Sequence, residues 1–241
     1  MSNTTALIIK SLDEQMVARK TMFTDVAPPN YSVERLRRQV SIIMAENDKV
    51  AKCSPTSIIT SCMRIAELGL DLSKGAGQAY LVPYATECTL IIGYRGYIEL
   101  AYRTNKVRSV QTGAVMEGDA FDYGLGSDPF VNHKPEIFGD RGNLIAVYAV
   151  ARMKTGETMV DIMRRDEIDR VKKASRAGTR GPWVDHFTEM ARKTVARRLA
   201  KYLPTDNILS LAMEYDADEP EIVETQTATA KLADDLEGSD T

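Results

Sequence analysis

The sequence predicts an α+β fold in which a short, largely antiparallel sheet is covered by helices. Segments with helical periodicity alternate along the chain with short runs of strand-forming residues, and the strand candidates are joined in pairs by polar turns. The 241 residues are enough for one sizeable domain, and they contain no internal repeat. No apolar run approaches the ~20 residues that a membrane span requires, so no membrane partner is expected.

Three sections of the chain differ in composition. Residues 1–30 are mixed in character and end in a Pro-rich stop, which predicts a loosely held N-terminal segment with one short helix. Residues 31–213 carry the periodic segments and are expected to form a single core domain. Residues 214–241 hold ten acidic residues and one lysine, which predicts a disordered acidic tail.

The cysteines and the N-terminal residues indicate the cellular compartment of the protein. The three cysteines form no C-x-x-C pair, which favours reduced, mostly buried thiols. The first residues lack the basic lead-in and the long apolar run of a secretory signal. A cytoplasmic location is therefore expected.

Helix signals dominate the first part of the core. Residues 33–47 have helical periodicity, and Ser32 precedes them as an N-cap. A second helix is predicted to begin at Pro55 behind the cap Ser54 and to end at Gly69. Apolar residues cover most of the circumference of this second helix, so it should be deeply buried and structural.

Strand candidates follow this helix. Residues 78–84 and 88–94 flank a polar turn, and Pro83 should lie at a sheet edge because it cannot donate a ladder hydrogen bond. Helical spacing returns in residues 96–104, and residues 107–117 alternate weakly.

The second half of the core contains the clearest hairpin. Residues 144–154 and 157–163 are joined by a Thr-Gly turn. A short basic helix is predicted for residues 165–175, followed by a flexible cationic loop. One long basic helix is then predicted over residues 181–204, where a proline stops it.

The long basic helix carries an excess of cations. Residues 161–201 hold twelve Lys/Arg against six Asp/Glu. At 3.6 residues per turn, Lys193, Arg197 and Lys201 fall on one ridge, and like charges at this spacing cost an isolated helix roughly 0.2–0.5 kcal/mol per pair. A row of phosphates would satisfy such a ridge. Pairing with acids on other segments or with the acidic tail is the alternative.

Two neighbouring groups indicate the same kind of ligand. The loop before the long helix can wrap a nucleic-acid strand, and its tryptophan can offer an aromatic face to a base, although core packing is the alternative for that ring. Its residues are Lys172, Lys173, Arg176, Arg180 and Trp183. At the second group, Gly93 and Gly96 flank Tyr94 and Arg95 at a strand-to-helix junction, where free backbone N–H groups can bind a phosphate. A tight structural turn is the alternative there.

Sequence motifs for catalysis and metal binding are absent. Without G-x-x-x-x-G-K-[ST], a P-loop ATPase is unsupported, and the two histidines, His133 and His186, have no metal-ligand spacing around them. Glu117, Asp119 and Asp122 lie close together in a Gly-rich loop, where turn hydrogen bonds are the simpler explanation. A binding protein without a cofactor is therefore expected, with divalent cations acting at most as counter-ions.

Several blocks together give a resemblance to a known family. They are CSPTSIITSCMRIAELGLDL, GQAYLVPY, IIGYRGYIELAYRTNKV, VMEGDAFDY, HKP, NLIAVYAVARMKTGE and GPWVDHFTEMARKTVARRLAKYLP. In this order, from about Ala51 to Pro204, they resemble the RecT family of phage and prophage single-strand DNA annealing proteins. Asn105 stands where glycine is common in that family, but asparagine tolerates the left-handed conformation, so the turn should be kept.

The resemblance implies a function and a core. It implies ATP-independent binding of single-stranded DNA, annealing of complementary strands in recombination, and retention of the duplex. It also implies a β-β-β-α core, self-association into rings or helical filaments with DNA in a basic groove, and cooperation with a 5′→3′ exonuclease. The acidic tail is expected to compete with DNA, to dock a partner such as the host single-strand binding protein, or only to solubilise the chain.

The candidate DNA-facing residues combine the matched positions with their cationic neighbours. The matched positions are Tyr94, Arg95, Arg103, Trp183, Lys193, Arg197 and Lys201. The neighbours are Lys106, Arg108, Lys172, Lys173, Arg176, Arg180, Arg192 and Arg198. No catalytic and no metal-binding residue is assigned. A metal-dependent DNA-processing enzyme and a phage structural assembly protein remain as alternatives to an annealing protein.

Overall fold

A computed structural model describes residues 3–175, 179, 181–204 and 207–216. The helices in these ranges are α1 (Asn3–Ala18), α2 (Lys20–Val26), α3 (Val33–Glu46), α4 (Asp48–Ala51), α5 (Pro55–Leu68), α6 (Tyr94–Arg103), α7 (Arg165–Ala174), α8 (Pro182–Asp185), α9 (Phe187–Ala200) and α10 (Asn207–Tyr215). The strands are β1 (Ala79–Tyr84), β2 (Glu87–Ile92), β3 (Val107–Met116), β4 (Ala120–Gly124), β5 (Phe130–Lys134), β6 (Leu144–Met153) and β7 (Thr158–Arg164).

The predicted α+β class is confirmed. The strands pair as β1-β2, β3-β6-β7 and β4-β5, and every pair is antiparallel. The central sheet, β3-β6-β7, is followed directly by α7, in agreement with the β-β-β-α order implied by the family resemblance. Helices α6 and α9 pack on this sheet. Within the described ranges, no helix combines the length and the apolar character needed to cross a membrane.

The N-terminal segment is more helical than predicted. Residues 3–26 form two helices, α1 and α2, where the sequence predicts one short helix in a loosely held segment. Leu12, Met16 and Phe23 are buried in the common hydrophobic core. Burial of these three side chains gives the segment a packed position, although Leu7, Val17 and Met22 remain exposed.

The cap residues of α5 act as the sequence predicts. The Ser54 side chain accepts a hydrogen bond from the Ser57 amide, Pro55 occupies the first turn, and Gly69 ends the helix at φ 62°. Cys62, like the other two cysteines, is free and buried. Asn105 also keeps its predicted turn, at φ 58°.

The long basic helix is interrupted. His186 has φ −139° and ψ 48°, outside the helical region, and separates α8 from α9. Its amide donates to the Pro182 carbonyl at 2.9 Å, closing α8, and its carbonyl accepts from the Met190 amide at 3.0 Å, opening α9. The change of direction lets α9 lie on the central sheet while α8 inserts Trp183 into the core.

The β4–β5 hairpin, here called the finger, is held by Asp119. Its carboxylate accepts hydrogen bonds from the Met116 and Glu136 amides, at 2.8 and 3.0 Å, and from Arg141 Nε at 2.9 Å. His133 Nε2 lies 3.0 Å from the same carboxylate. The Arg141 guanidinium and the backbone amides hold the pKa of Asp119 far below its usual range. The predicted turn hydrogen bonds are therefore present at Asp119.

We expect Asp119→Asn to lower the free energy of unfolding by about 2 kcal/mol at pH 7, because charge-assisted hydrogen bonds are removed. The folded-state pKa of Asp119 is lowered, so its contribution is full above the unfolded pKa of about 3.9 and declines as pH falls toward the folded value. Urea unfolding at pH 7 and pH 3 should therefore give a smaller difference at pH 3. Asp122→Asn, at an exposed position of the finger, is the control; equal stability of both variants would contradict this role.

Candidate nucleic-acid interface

The ridge predicted to face DNA is largely inside the protein. Lys193 is 2% exposed and Arg197 is 8% exposed. Lys193 Nζ lies 3.0 Å from Asp216 Oδ1, and Arg197 Nε lies 3.8 Å from Asp216 Oδ2. The Tyr97 hydroxyl donates to Asp216 at 2.7 Å. We call these four residues the Asp216 cluster.

The Asp216 cluster corrects the prediction for two members of the ridge. A buried cation requires an anionic partner, and Asp216 supplies one from within the chain. The sequence left two partners open for the ridge, the phosphates of a nucleic acid and the protein's own acids. For Lys193 and Arg197 the partner is the protein's own acid. The partner comes from the start of the predicted acidic tail, so the folded part of the chain extends beyond residue 213. Lys201, the third ridge residue, follows α9 and is exposed.

Three other predicted contacts are used within the fold. Arg103 donates to the Leu68 and Gly69 carbonyls, both at 2.8 Å, and so caps the C-terminal end of α5. Arg198 Nε donates to Asp161 at 2.7 Å. Trp183 is 1% exposed, and within the described ranges its indole nitrogen has no hydrogen-bond partner. Core packing, the alternative considered for Trp183, is what the structure shows.

The strand-to-helix junction depends on two glycines. A Cβ on Gly93 would lie 2.3 Å from the Gly77 carbonyl oxygen, and a Cβ on Gly96 would lie 2.3 Å from that of Gln78. The chain entering β1 and the start of α6 are therefore in direct backbone contact. Gly93 is the N-cap of α6 and has no side chain to accept from the first-turn N–H groups, which suits an external anion.

Aromatic and cationic side chains surround this junction. The Arg192 guanidinium carbon lies 4.2 Å from the centroid of the Tyr94 ring, and that of Arg95 lies 5.8 Å from it. Arg95 is exposed and donates to the Tyr94 hydroxyl at 3.2 Å and to the Gly75 carbonyl at 3.0 Å. We call Tyr94, Arg95 and Arg192 the junction cluster.

The two arginines of the junction cluster differ in how free they are to bind an external anion. Arg192 is committed to Thr112 Oγ1 at 3.0 Å and to Glu189 at 3.3 Å. Arg95 has no ion pair with an acidic residue of the described ranges, and its predicted position at the helix start is the one observed. Of the predicted cations near this junction, Arg95 is thus the one presented to solvent.

A second group of cations lies at one end of the central sheet. The start of β3, with Lys106 and Arg108, lies beside the end of β6, with Arg152 and Lys154. The Lys154 amide donates to the Lys106 carbonyl at 2.9 Å, and Ser109 of β3 pairs with Arg152 of β6. The pairing register shifts at Arg108, as in a β-bulge. We call the four cations the sheet-end patch.

The sheet-end patch combines predicted and unpredicted residues. Its four members are exposed. Within the described ranges none of them forms an ion pair with an acid, and Lys154 Nζ donates to the Asn105 side chain. Lys106 and Arg108 were predicted, whereas Arg152 and Lys154 were not. The sequence feature that could have indicated them is their position on either side of Met153 in the predicted hairpin. The other feature is the pair of cations, Lys106 and Arg108, at the start of the strand predicted for residues 107–117.

The cationic loop is only partly described. Lys172 Nζ lies 5.3 Å from the centroid of the Phe187 ring, and Lys173 is exposed at the end of α7. Arg176 and Arg180 lie outside the described residues. Within the described ranges, no group of three His, Cys, Asp or Glu side chains is placed to hold a metal ion.

Helix α6 relates the two exposed cationic sites. The junction cluster lies at its first residue, and the sheet-end patch begins three residues after its last. Ten residues at 1.5 Å each separate the two ends by about 15 Å. The geometry thus offers two separated points of attachment to an extended polyanion.

Comparison with known proteins assigns the family. The model of the RecT family matches residues 34–231, which include α6, the central sheet and the Asp216 cluster. This chain belongs to the RecT family. It is 35% identical over 218 residues to Protein RecT of Escherichia coli (strain K12), an alignment that covers 87% of this chain and 78% of that protein. It is 27% identical over 210 residues to the uncharacterized protein YqaK of Bacillus subtilis (strain 168), covering 86% and 66%.

We expect Asp216→Ala in this RecT family member to lower the free energy of unfolding by about 3–5 kcal/mol, because it removes the carboxylate from two buried cations. Urea unfolding followed by circular dichroism measures the effect. Glu214→Ala is the matched control, since Glu214 is an exposed acid two residues earlier on α10. If the two variants were equally stable, the Asp216 cluster would have no structural importance.

Proposed function

We propose that this protein binds single-stranded DNA without ATP and anneals it to a complementary strand during phage-type homologous recombination. Membership of the RecT family supports the proposal. The structural observation that carries it is the placement of Arg95 and the sheet-end patch, exposed and within the family match, at the two ends of α6. These cations take the place of the buried ridge in the predicted interface.

The proposed mechanism is electrostatic. Phosphates bound to Arg95 and to the first turn of α6, and others bound to the sheet-end patch, release counter-ions into solution. A strand attached through its backbone keeps its base edges available, and base pairing itself then checks the sequence of an incoming strand. The proposal requires no catalytic residue and no cofactor, and divalent cations act only as counter-ions.

Self-association is part of the proposal. Ile137 and Phe138, in the loop after β5, are 76% and 94% exposed, and large exposed apolar side chains are typical of protein contacts. Rings or helical filaments of subunits would join the cationic sites of neighbours into a continuous groove. A 5′→3′ exonuclease that produces the single strand and the host single-strand binding protein are the proposed partners, and the annealed duplex is the product.

Annealing of two complementary oligonucleotides, added one after the other without ATP, tests the function. The expected result is pairing several-fold faster than without protein, measured by fluorescence transfer between labelled strands, with rings or filaments in electron micrographs of the same samples. A rate equal to that of the strands alone would contradict annealing, and loss of intact strands on addition of Mg²⁺ would indicate a nuclease instead.

We expect the double substitution Arg108→Ala with Arg152→Ala to lower the affinity for a single-stranded oligonucleotide about tenfold at moderate salt. The slope of log K against log [salt] should become shallower by about 0.7 for each phosphate that the variant no longer neutralises. Fluorescence anisotropy at several salt concentrations measures both quantities. Arg38→Ala, at an exposed position on α3, controls for the removal of charge alone. An unchanged slope in the double variant would exclude the sheet-end patch from the interface.

A further inference from the structure

We infer that a cavity beside the junction cluster binds a nucleobase of the attached strand. The inference rests on the proposed DNA binding and adds a second kind of contact to it. The cavity has a volume of about 500 Å³ and lies between the β1–β2 hairpin and the segment from α8 to α9. We call it the base pocket. Its apolar and aromatic lining includes Tyr80, Val82, Pro83, Tyr94, Pro182 and Met190.

The shape and the lining suit a flat aromatic ligand. Cavities of roughly 300–1,000 Å³ with mostly apolar walls are typical of small-molecule sites, and a single base is well within that range. Tyrosine rings bind bases by stacking, irrespective of base identity, because every base has a π face. An extended single strand can turn a base toward such a pocket, whereas a base inside a duplex is already stacked.

Tyr80 is the residue best placed to stack. Its ring lies against the N-cap of α6: a Cβ on Gly93 would be 3.0 Å from Tyr80 Cε2, and a Cβ on Gly77 would be 3.3 Å from its hydroxyl oxygen. The ring is nevertheless 44% exposed. It is therefore positioned by the glycines on one side and accessible on the other, next to the helix start where a phosphate is proposed to bind.

The polar groups of the pocket favour a base over a phosphate. Asp185 and Glu189 line the cavity, and their carboxylates repel an anion but accept hydrogen bonds from the N–H groups of a base. Lys74 and Lys193 also line the cavity, but Lys74 Nζ lies 2.6 Å from Glu46 and Lys193 Nζ lies 3.0 Å from Asp216, so both charges are countered within the fold. Asn47 and His186 are further polar residues of the lining. One base thus enters the pocket while its phosphate remains outside on Arg95, and the other bases of the strand keep their edges available for pairing.

The test compares two oligonucleotides of equal length, one with normal bases and one with abasic residues throughout. We expect Tyr80→Ala to weaken binding of the normal oligonucleotide about tenfold, within the range for removal of one stacked base. Its affinity for the abasic oligonucleotide should be unchanged, since no charge is removed. Tyr80→Phe should bind both oligonucleotides as the unmodified protein does, because the ring is kept. Anisotropy titration measures all six affinities.

Controls separate this inference from the proposed function. Tyr202→Ala removes an exposed tyrosine just after α9 and should leave both affinities unchanged. Equal affinities of Tyr80→Ala and the unmodified protein for the normal oligonucleotide would overturn the base pocket, as would an equal weakening for both oligonucleotides. The proposed DNA binding would survive either result. If the unmodified protein bound neither oligonucleotide, the proposed function and the base pocket would both be wrong.

Discussion

The buried carboxylate of Asp216 is the interaction on which the arrangement of the C-terminal helices depends. It contacts cations of α9 and a tyrosine of α6, so α6, α9 and α10 are joined at one point. Because α9 also packs on the central sheet, Lys193 and Arg197 are buried, and a buried cation requires an anion beside it. The fold therefore uses for its own cohesion two of the positive charges that a nucleic acid was predicted to take.

The remaining positive charges are placed by α6. Close backbone contact at Gly93 and Gly96 fixes where the helix begins, and Arg103 fixes its far end against α5. The exposed cations and the base pocket are all positioned relative to this short, rigid element. Sites on such an element keep their separation better than sites on loops, which suits a protein that must hold a strand extended.

The sequence predicted best where the determinants are local. The caps of α5 and the β6–β7 hairpin depend on neighbouring residues, and both were predicted with bounds close to those observed. The ridge was wrongly assigned to DNA at Lys193 and Arg197 because helical spacing shows which residues share a side, not what that side faces. Arg152 was missed because its place beside Arg108 depends on the pairing of two strands far apart in sequence.

The position of Asp216 has a consequence for shortened versions of the protein. The acid-rich stretch is an obvious choice for truncation, and its first two acidic residues are Glu214 and Asp216. A cut made there would take away an internal counter-charge together with the surface acids, so altered behaviour could reflect a disturbed interior. A stop codon placed after residue 216 would instead leave that counter-charge in the chain.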